Sequence, residues 1–264
     1  MPDRLKGKVA VVTGGGTGIG QGTATTFARE GARVALCGRT EATLQDTVGM
    51  IEAEGGDASY TICDVSKADQ VQNLIEETVD RYGKLDILVN NAGLRASIVD
   101  ILDLTEEEWN QTFNVDAKGS WLCSKYAIPE MRKAGGGSII MVSSISAHIG
   151  QPKQGAYNSA KAAQELLMKC MALDFAPDNI RVNSICPAWV PVAQNKEQLE
   201  EMMSNPDRVF PPGVSYRTLT SKLHPIGRLG TAEDCAWAAV YLASNESSWV
   251  TGSSLFVDGG YTCQ

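Results

Sequence analysis

TGGGTGIG, at residues 13–20, is the stretch of this sequence that decides its fold. An apolar run typical of a β-strand precedes it (KVAVVT, 8–13), a helical pattern follows at 20–30, and a second strand-like run covers 33–37. Glycines let a chain turn tightly and let its backbone approach a pyrophosphate at the positive N-terminus of a helix. A glycine-rich turn is often only structural. A turn between a strand and a helix, followed by a second strand, predicts a dinucleotide site.

The rest of the chain continues this alternation of strand-like and helical patterns. Seven short apolar runs predict strands, at residues 8–13, 33–37, 59–63, 85–90, 138–142, 181–186 and 254–257. Amphipathic patterns predict helices at residues 20–30, 41–54, 67–82, 105–133, 157–175 and 231–242. Apolar strands that alternate with helices indicate a parallel sheet covered on both faces. We therefore predict an α/β fold: a Rossmann-type, doubly wound, seven-stranded parallel sheet with helices on both faces, in a single domain over residues 1–264.

Residues 188–230 interrupt this rhythm. The segment has five prolines, no strand pattern and one short helical pattern near residues 195–203. A connection of this length in a compact domain is usually functional, and it follows the carboxyl end of a strand, where open α/β sheets bind ligands. We predict a substrate lid here. The alternative is a surface excursion or a subunit contact.

Charge and composition exclude several classes of protein. The 264 residues carry 23 Lys and Arg against 31 Asp and Glu, a formal net charge of −8, so no basic surface is available for nucleic acid. No apolar run approaches the ~18–20 residues of a membrane span. The start, MPDRLKGK, leaves no room for a signal peptide, so we expect a cytoplasmic protein.

The cysteines and histidines do not form a recognisable framework. Seven cysteines show no CxxC pair, and His148 and His224 are the two histidines. This spacing predicts neither a disulfide framework nor a metal site, and we expect reduced thiols that behave as small apolar side chains.

The end of the second strand bears on the choice of nicotinamide cofactor. An NAD site typically has an acid there for the adenosine ribose, whereas this strand ends in Cys37 and Gly38, followed by Arg39 and Thr40. Arg39 could pair with a 2′-phosphate through a charge-assisted hydrogen bond of about 1.5–3 kcal/mol. The sequence therefore favours NADP(H). NAD(H) remains possible if Arg39 is only a solvated loop residue.

A second constellation follows the middle strands. YNSAK, residues 157–161, puts Tyr157 and Lys161 on one helical face. A lone YxxxK is common by chance, so its companions matter: Ser143 and Ser144 end the fifth strand, NNAG (90–93) ends the fourth, and Asn114 lies within the pattern between them.

Taken together, these motifs resemble the short-chain dehydrogenase/reductase family across almost the whole chain. The matching pieces are TGGGTGIG (13–20), Asp64 and Val65, NNAG (90–93), Asn114 in NVDAKG, Ser144, YNSAK (157–161), RVNSICP (181–187) and GSSLFVDGGY (252–261). The family's serine usually lies thirteen residues before its tyrosine, which selects Ser144 over Ser143. The resemblance implies an NAD(P)-dependent enzyme that interconverts a secondary alcohol and a carbonyl compound by hydride transfer.

The resemblance also implies a role for each of four catalytic residues. Tyr157 would be the general acid/base. A phenol ionises in water near pH ~10, so working near neutrality needs about 4 kcal/mol of electrostatic help, which Lys161 could supply. Ser144 would hold the substrate oxygen, and Asn114 would hold a water that links Lys161 to solvent. Implied cofactor contacts are Gly14, Thr17, Gly18, Ile19, Gly20, Arg39, Thr40, Asp64, Val65, Asn91, Ala92, Gly93, Tyr157, Lys161, Pro187 and Val190.

The sequence departs from the family after the sixth strand. Pro187 is followed by Ala188 rather than glycine, and Val192 stands where a threonine usually contacts the nicotinamide amide. Candidate substrate residues are Arg95, His148, Gln154, Trp189 and Arg217. They favour a small polar or anionic alcohol or carbonyl substrate. The alternatives are that these residues face solvent and that His148 is a hydrogen-bonded structural histidine.

Two further expectations concern the class and assembly of the protein. A catalytically silent NADP-binding sensor or scaffold is the alternative function, although such a protein is expected to lose the tyrosine or lysine. The resemblance implies a homotetramer or dimer, paired through the long helices at 105–133 and 157–175 and through the last strand.

Overall fold

The computed structural model describes residues 3–94, 98–191 and 222–264. Seven strands form one sheet: β1 (Val9–Thr13), β2 (Arg33–Gly38), β3 (Ala58–Ile62), β4 (Ile87–Asn90), β5 (Gly137–Val142), β6 (Ile180–Pro187) and β7 (Ser254–Val257). Their order is β3-β2-β1-β4-β5-β6-β7, and every neighbouring pair is parallel. The predicted α/β sheet is confirmed, with each strand end within two residues of its predicted position.

Helices connect the strands. They are α1 (Gly18–Arg29), α2 (Glu41–Ala53), α3 (Ala68–Tyr82), α4 (Glu106–Phe113), α5 (Ser120–Lys133), α6 (Gly155–Phe175) and α7 (Ala232–Ala243). Local sequence sets several of their ends: Thr105 and Thr231 form capping boxes with Glu108 and Asp234, and α3 stops at Gly83 in the left-handed conformation.

The pattern at 105–133, predicted as one helix, forms two α-helices joined by a π-helical segment, Asn114–Gly119. Ser120 Oγ donates to the Asp116 carbonyl oxygen at 2.7 Å within this wider turn. A π-turn adds a residue to the helical repeat, so side chains beyond it face a different direction from a regular helix. Hydrophobic periodicity cannot detect such a local change.

The core lies on both faces of the sheet. Strand side chains alternate between faces, so Val9 and Val11 of β1 belong to one buried cluster while Ala10 and Val12 belong to the other. Helices α3, α5 and α6 cover the first face, and α1, α2 and α7 cover the second. Covering both faces leaves the carboxyl edge of the parallel strands as the place for a ligand.

The strand order brings the predicted motifs to that edge. The chain crosses from β3 at one side of the sheet back to β4, which pairs with β1 on the side opposite β2. The turns after β1 and β4 therefore lie side by side. The connections after β5 and β6 are next to them, and these four turns carry most of the candidate residues.

Candidate active site

A cavity of about 870 Å³ opens at the carboxyl edge of the sheet. Its size falls within the range of small-molecule and cofactor sites. Most of the predicted site residues line this cavity. They are Gly14, Thr17, Gly18, Ile19, Arg39, Thr40, Asp64, Val65, Asn91, Ala92, Gly93, Ser144, Gln154, Tyr157, Lys161, Pro187, Trp189 and Val190. The fold thus brings residues from the connections after six different strands into one cavity.

Three predicted residues with described positions do not line this cavity. Asn114 is exposed at the start of the π-helical segment, and Gly20 lies within α1 behind the glycine-rich turn. His148, a candidate substrate residue, instead contacts Glu165 and Cys186 outside the cavity lining. Its Nε2 lies toward those two side chains, and its role in binding substrate stays a prediction.

Several predictions fall outside the described residues. They are Arg95, Arg217, Val192 with its missing hydroxyl, the short helix near 195–203 and most of the lid segment 188–230. These stay predictions.

The glycine-rich turn is held against the turn after β4. Gly14 and Gly18 have φ of 64° and 55°, the left-handed region that favours glycine. A Cβ on Gly20 would lie 2.2 Å from the Gly14 carbonyl oxygen. Asn91 Nδ2 donates to the carbonyl oxygens of Thr13 (2.8 Å) and Gly14 (3.2 Å). Close backbone contact and the Asn91 side chain therefore shape the turn together.

Thr13 fixes the spacing of the two turns. Its hydroxyl donates to the Val89 carbonyl oxygen at 3.2 Å and accepts from the backbone N–H groups of Asn91 and Ala92, both at 2.9 Å. This buried threonine therefore links the end of β1 to the residues after β4. The sequence motif alone does not predict this role of Thr13.

At one end of the cavity, the loops after β2 and β3 carry opposite charges. Arg39 and Thr40 follow β2 and are exposed, and Asp64 follows β3. Partial burial raises the pKa of Asp64, but hydrogen bonds from Ser66 and the positive charges of Arg39 and Lys67 outweigh it and hold that pKa below its usual value. Asp64 is thus a carboxylate at neutral pH, with the Arg39 guanidinium nearby.

Ser144, Tyr157 and Lys161 lie at the opposite end. Ser144 follows β5 in an extended conformation, donates to Ser146 Oγ at 3.0 Å and accepts from the Ser146 backbone N–H at 3.1 Å. Tyr157 and Lys161 are one turn apart on α6, with Lys161 Nζ 5.7 Å from the centre of the Tyr157 ring. The three side chains face one volume, as an acid/base site on a carbonyl oxygen requires.

Lys161 is buried and held by acceptors on three elements. Its Nζ donates to the Val142 carbonyl oxygen at 3.1 Å and to Gln164 Oε1 at 3.5 Å. It also forms an ion pair with Asp116 Oδ1 at 2.9 Å. Burial lowers the pKa of Lys161, but the negative charges of Asp116 and Tyr157 raise it more, and the net pKa lies above the ordinary lysine value.

Asp116 is the site residue that sequence reasoning missed. It is fully buried in the π-helical segment, and its Oδ2 accepts the Leu94 backbone N–H at 3.0 Å. A Cβ on Gly93 would come within 2.9 Å of Asp116 Oδ1, so the glycine of NNAG leaves room for this carboxylate. The sequence offered one signal: an acid inside NVDAKG, two residues after Asn114. In an amphipathic helix such an acid is expected to face solvent.

Comparisons with known proteins find relatives over almost the whole chain. A family model described as enoyl-(acyl carrier protein) reductase matches residues 14–262. An NADP-dependent (R)-specific alcohol dehydrogenase of Lentilactobacillus kefiri is 38% identical over 271 residues, covering 100% of both chains. The human protein named dehydrogenase/reductase SDR family member 4 is 35% identical over 263 residues, 98% of this chain and 88% of that one.

A solved structure shows the same likeness in three dimensions. A short-chain type dehydrogenase/reductase from Mycobacterium marinum superposes with a TM-score of 0.87 at 36% identity, covering 98% of this chain and 97% of that one. The chain belongs to the short-chain dehydrogenase/reductase family of oxidoreductases, whose cofactors are NAD and NADP. None of the helices in the described ranges, 3–94, 98–191 and 222–264, combines the length and the apolar character that a membrane span needs.

Proposed function

We propose that this protein is an NADP-dependent oxidoreductase that interconverts a secondary alcohol and a ketone or aldehyde. The observation that carries the proposal is the shared cavity: the glycine-rich turn and Arg39 line one end, and Ser144, Tyr157 and Lys161 line the other. A ligand that spans the cavity would therefore contact both groups of residues.

The residues present fit a dinucleotide. A phosphate is favoured at the N-terminus of α1, where backbone N–H groups and the helix dipole offer positive charge. A Cβ on Gly14 would fall 2.9 Å from Asn91 Nδ2 and 3.1 Å from Ala92 Cα, so only glycine lets this turn pack so closely against the residues after β4. Asp64 and Val65 would contact the adenine end, and Pro187 with Val190 the nicotinamide end.

The preference for NADP rests on Arg39. β2 ends at Gly38 and no acid follows it before Glu41, the first residue of α2. A 2′-phosphate beside Arg39 would gain a charge-assisted hydrogen bond, whereas an acid at this place would repel it. The Lentilactobacillus kefiri relative is NADP-dependent by name, which supports the same choice.

The chain's own residues would handle the proton and the substrate. The cofactor supplies or accepts the hydride when bound. Tyr157 exchanges a proton with the substrate oxygen, and Ser144 fixes that oxygen by a hydrogen bond. Lys161 stabilises the Tyr157 phenolate by its positive charge. Asp116 holds Lys161 in place and keeps it charged, which adds a positioning residue to the set predicted from sequence.

The substrate we propose is small and polar or anionic. Gln154 and Trp189 line the cavity near Tyr157, and Gln151 joins them. Ser146 Oγ donates to Gln151 Oε1 at 2.5 Å, which connects that glutamine to Ser144 through one hydroxyl. Polar groups at this end favour a substrate with further oxygen atoms over a purely apolar one.

An absorbance assay at the reduced-nicotinamide band tests the proposal. The purified chain is mixed with NADP or NAD and a panel of neutral and anionic alcohols, and in reverse with the matching carbonyl compounds. Turnover confined to one chemical class and faster with NADP(H) is the expected result. Cofactor binding with no turnover across the panel would favour the sensor or scaffold alternative.

We propose, in addition, a homodimer or tetramer in the cytoplasm. Helices α5 and α6 expose Trp121, Leu166 and Leu173, and a groove of about 340 Å³ runs between these helices. Apolar side chains on neighbouring helices favour pairing with a second copy. The edge strand β7, with Phe256 39% exposed, offers a second contact. Light scattering after gel filtration should give a mass of two or four chains.

A further inference from the structure

Three side chains from separate elements meet beside the active site. His148 follows the short turn Ile145–Ala147, Glu165 lies on α6 and Cys186 lies near the end of β6. His148 Nε2 is 3.6 Å from Cys186 Sγ and 3.6 Å from Glu165 Oε2. Cys186 Sγ donates to Glu165 Oε1 at 3.5 Å. With one ligand atom taken from each residue, the three atoms all lie within 4.8 Å of one another.

The separations are close to those of zinc ligands. In a tetrahedral site with bonds of about 2.3 Å to sulfur and about 2.0 Å to nitrogen and oxygen, ligand atoms lie about 3.3–3.6 Å apart. The observed contacts of 3.5–3.6 Å fall at the upper end of that range. They use both carboxylate oxygens of Glu165, and with one ligand atom per residue the three atoms lie within 4.8 Å of one another. A thiolate, an imidazole and a carboxylate form a ligand set that suits Zn²⁺, whereas Ca²⁺ and Mg²⁺ prefer six or more oxygen atoms.

We propose that His148, Glu165 and Cys186 bind one Zn²⁺ ion, with the fourth coordination position filled by water on the side of His148. The side chain of His148 is 28% exposed and that of Glu165 is 6% exposed, so solvent and the ion reach the site past the histidine. Binding transfers the Cys186 thiol proton to solvent and replaces the S–H···O hydrogen bond with bonds to the metal.

Neighbouring groups orient these ligands. Ser254 Oγ donates to Glu165 Oε2 at 2.5 Å, and the His148 ring packs at 4.9 Å against that of Phe256. Hydrogen bonds to metal-bound carboxylates set their direction. The spacing of cysteines and histidines could not reveal the site, because its ligands lie 17 and 21 residues apart (148, 165, 186) and converge only after folding.

The location suggests what the ion would do. Glu165 is one helical turn beyond Lys161, and Cys186 precedes Pro187, which lines the cavity. His148 ends the short turn that begins at Ser144. A bound ion would join α6, β6 and this turn and so hold the active-site residues on a more rigid support. Zn²⁺ should therefore raise the Tm of the full chain.

Cobalt titration of the chelator-stripped full chain is the direct test. Co²⁺ bound by a thiolate gives a charge-transfer band in the near ultraviolet, and tetrahedral coordination gives strong visible bands. We expect one Co²⁺ per chain with both sets of bands, displaced stoichiometrically by Zn²⁺. Absence of the thiolate band at saturating Co²⁺ would overturn the proposal.

Variants separate this site from adventitious binding. Cys186→Ser should abolish the thiolate band. His148→Gln changes an exposed position and should not disturb folding. It should weaken Co²⁺ binding by more than about 100-fold, because loss of a residue that only hydrogen-bonds to a ligand typically costs about 10-fold to 100-fold in metal affinity. The matched controls are Cys170→Ser and Cys263→Ser, which change the two exposed thiols. A band lost in either control, or unchanged affinity in His148→Gln, would refute the assignment.

Discussion

Replacing Asp116 should remove the counter-charge of Lys161. The two groups are 2.9 Å apart, with side chains 0% and 5% exposed. At an effective dielectric constant of about 20, this separation corresponds to an attraction of about 6 kcal/mol, and the loss of one partner of a buried pair typically costs about 3–5 kcal/mol. We expect Asp116→Asn and Lys161→Met each to lower the free energy of unfolding by about 3–5 kcal/mol.

A double-mutant cycle isolates the pair. The double variant Asp116→Asn/Lys161→Met leaves no unpaired buried charge, so it should be more stable than the sum of the single losses predicts, by about 2–3 kcal/mol. Urea unfolding at neutral pH measures all four proteins. The exposed pair Arg29 and Glu54, replaced in the same way, serves as the control and should show little coupling. Additive losses at Asp116 and Lys161 would refute the ion pair.

The pH dependence gives a second readout. Burial lowers the pKa of Lys161, but the charge interactions with Asp116 and Tyr157 are together larger, so the net pKa is raised. Because the folded pKa lies above the ordinary value, the pair's contribution to stability is complete at neutral pH and is lost as pH rises through the raised pKa. In Asp116→Asn the ammonium is lost at lower pH, so the alkaline limb of the rate profile should move toward neutrality. An unmoved limb would contradict the role of Asp116.

Three other perturbations test the cofactor cradle, the cofactor choice and the assembly. Arg39→Asp should weaken NADP binding by about 10-fold to 150-fold and leave NAD binding intact. Equal losses of affinity for the two cofactors would contradict pairing of Arg39 with the 2′-phosphate. Gly14→Ala should lower the free energy of unfolding by about 1–2 kcal/mol, because φ at Gly14 is 64°, and should also weaken cofactor binding. The control Gly49→Ala, within α2, should raise the free energy of unfolding by about 0.5–1 kcal/mol. Leu173→Glu should split the oligomer on gel filtration, and Leu102→Glu, at a residue 91% exposed, should not.

The sheet was predictable because its strands are buried on both faces. Such strands appear in the sequence as near-continuous apolar runs, as in KVAVVT at 8–13 and LDILVN at 85–90. The glycine-rich turn and the YNSAK stretch, with their companion motifs, carried the family resemblance. These signals are local or depend on composition, so a single sequence carries them.

The missed features depend on contacts between distant residues. Asp116 lies on a wider π-turn that directs it to Lys161, and no periodicity distinguishes it from an exposed helical acid. His148 is close in sequence to Ser144, but its ring faces Cys186 and Glu165 rather than the cavity. Burial of polar groups is decided by their partners, and the partners become neighbours only in the folded chain.

The most direct test of the proposed chemistry is the Tyr157→Phe variant in the reduced-nicotinamide assay, with NADP(H) and a substrate that the wild-type chain turns over. The substitution removes one hydroxyl, so cofactor affinity should stay close to that of wild type while kcat falls by about 10²-fold to 10⁴-fold. Tyr126→Phe on α5, which does not line the cavity, is the matched control and should retain full activity. Turnover by Tyr157→Phe at the wild-type rate would contradict the assignment of Tyr157 as the acid/base and, with it, the proposed mechanism.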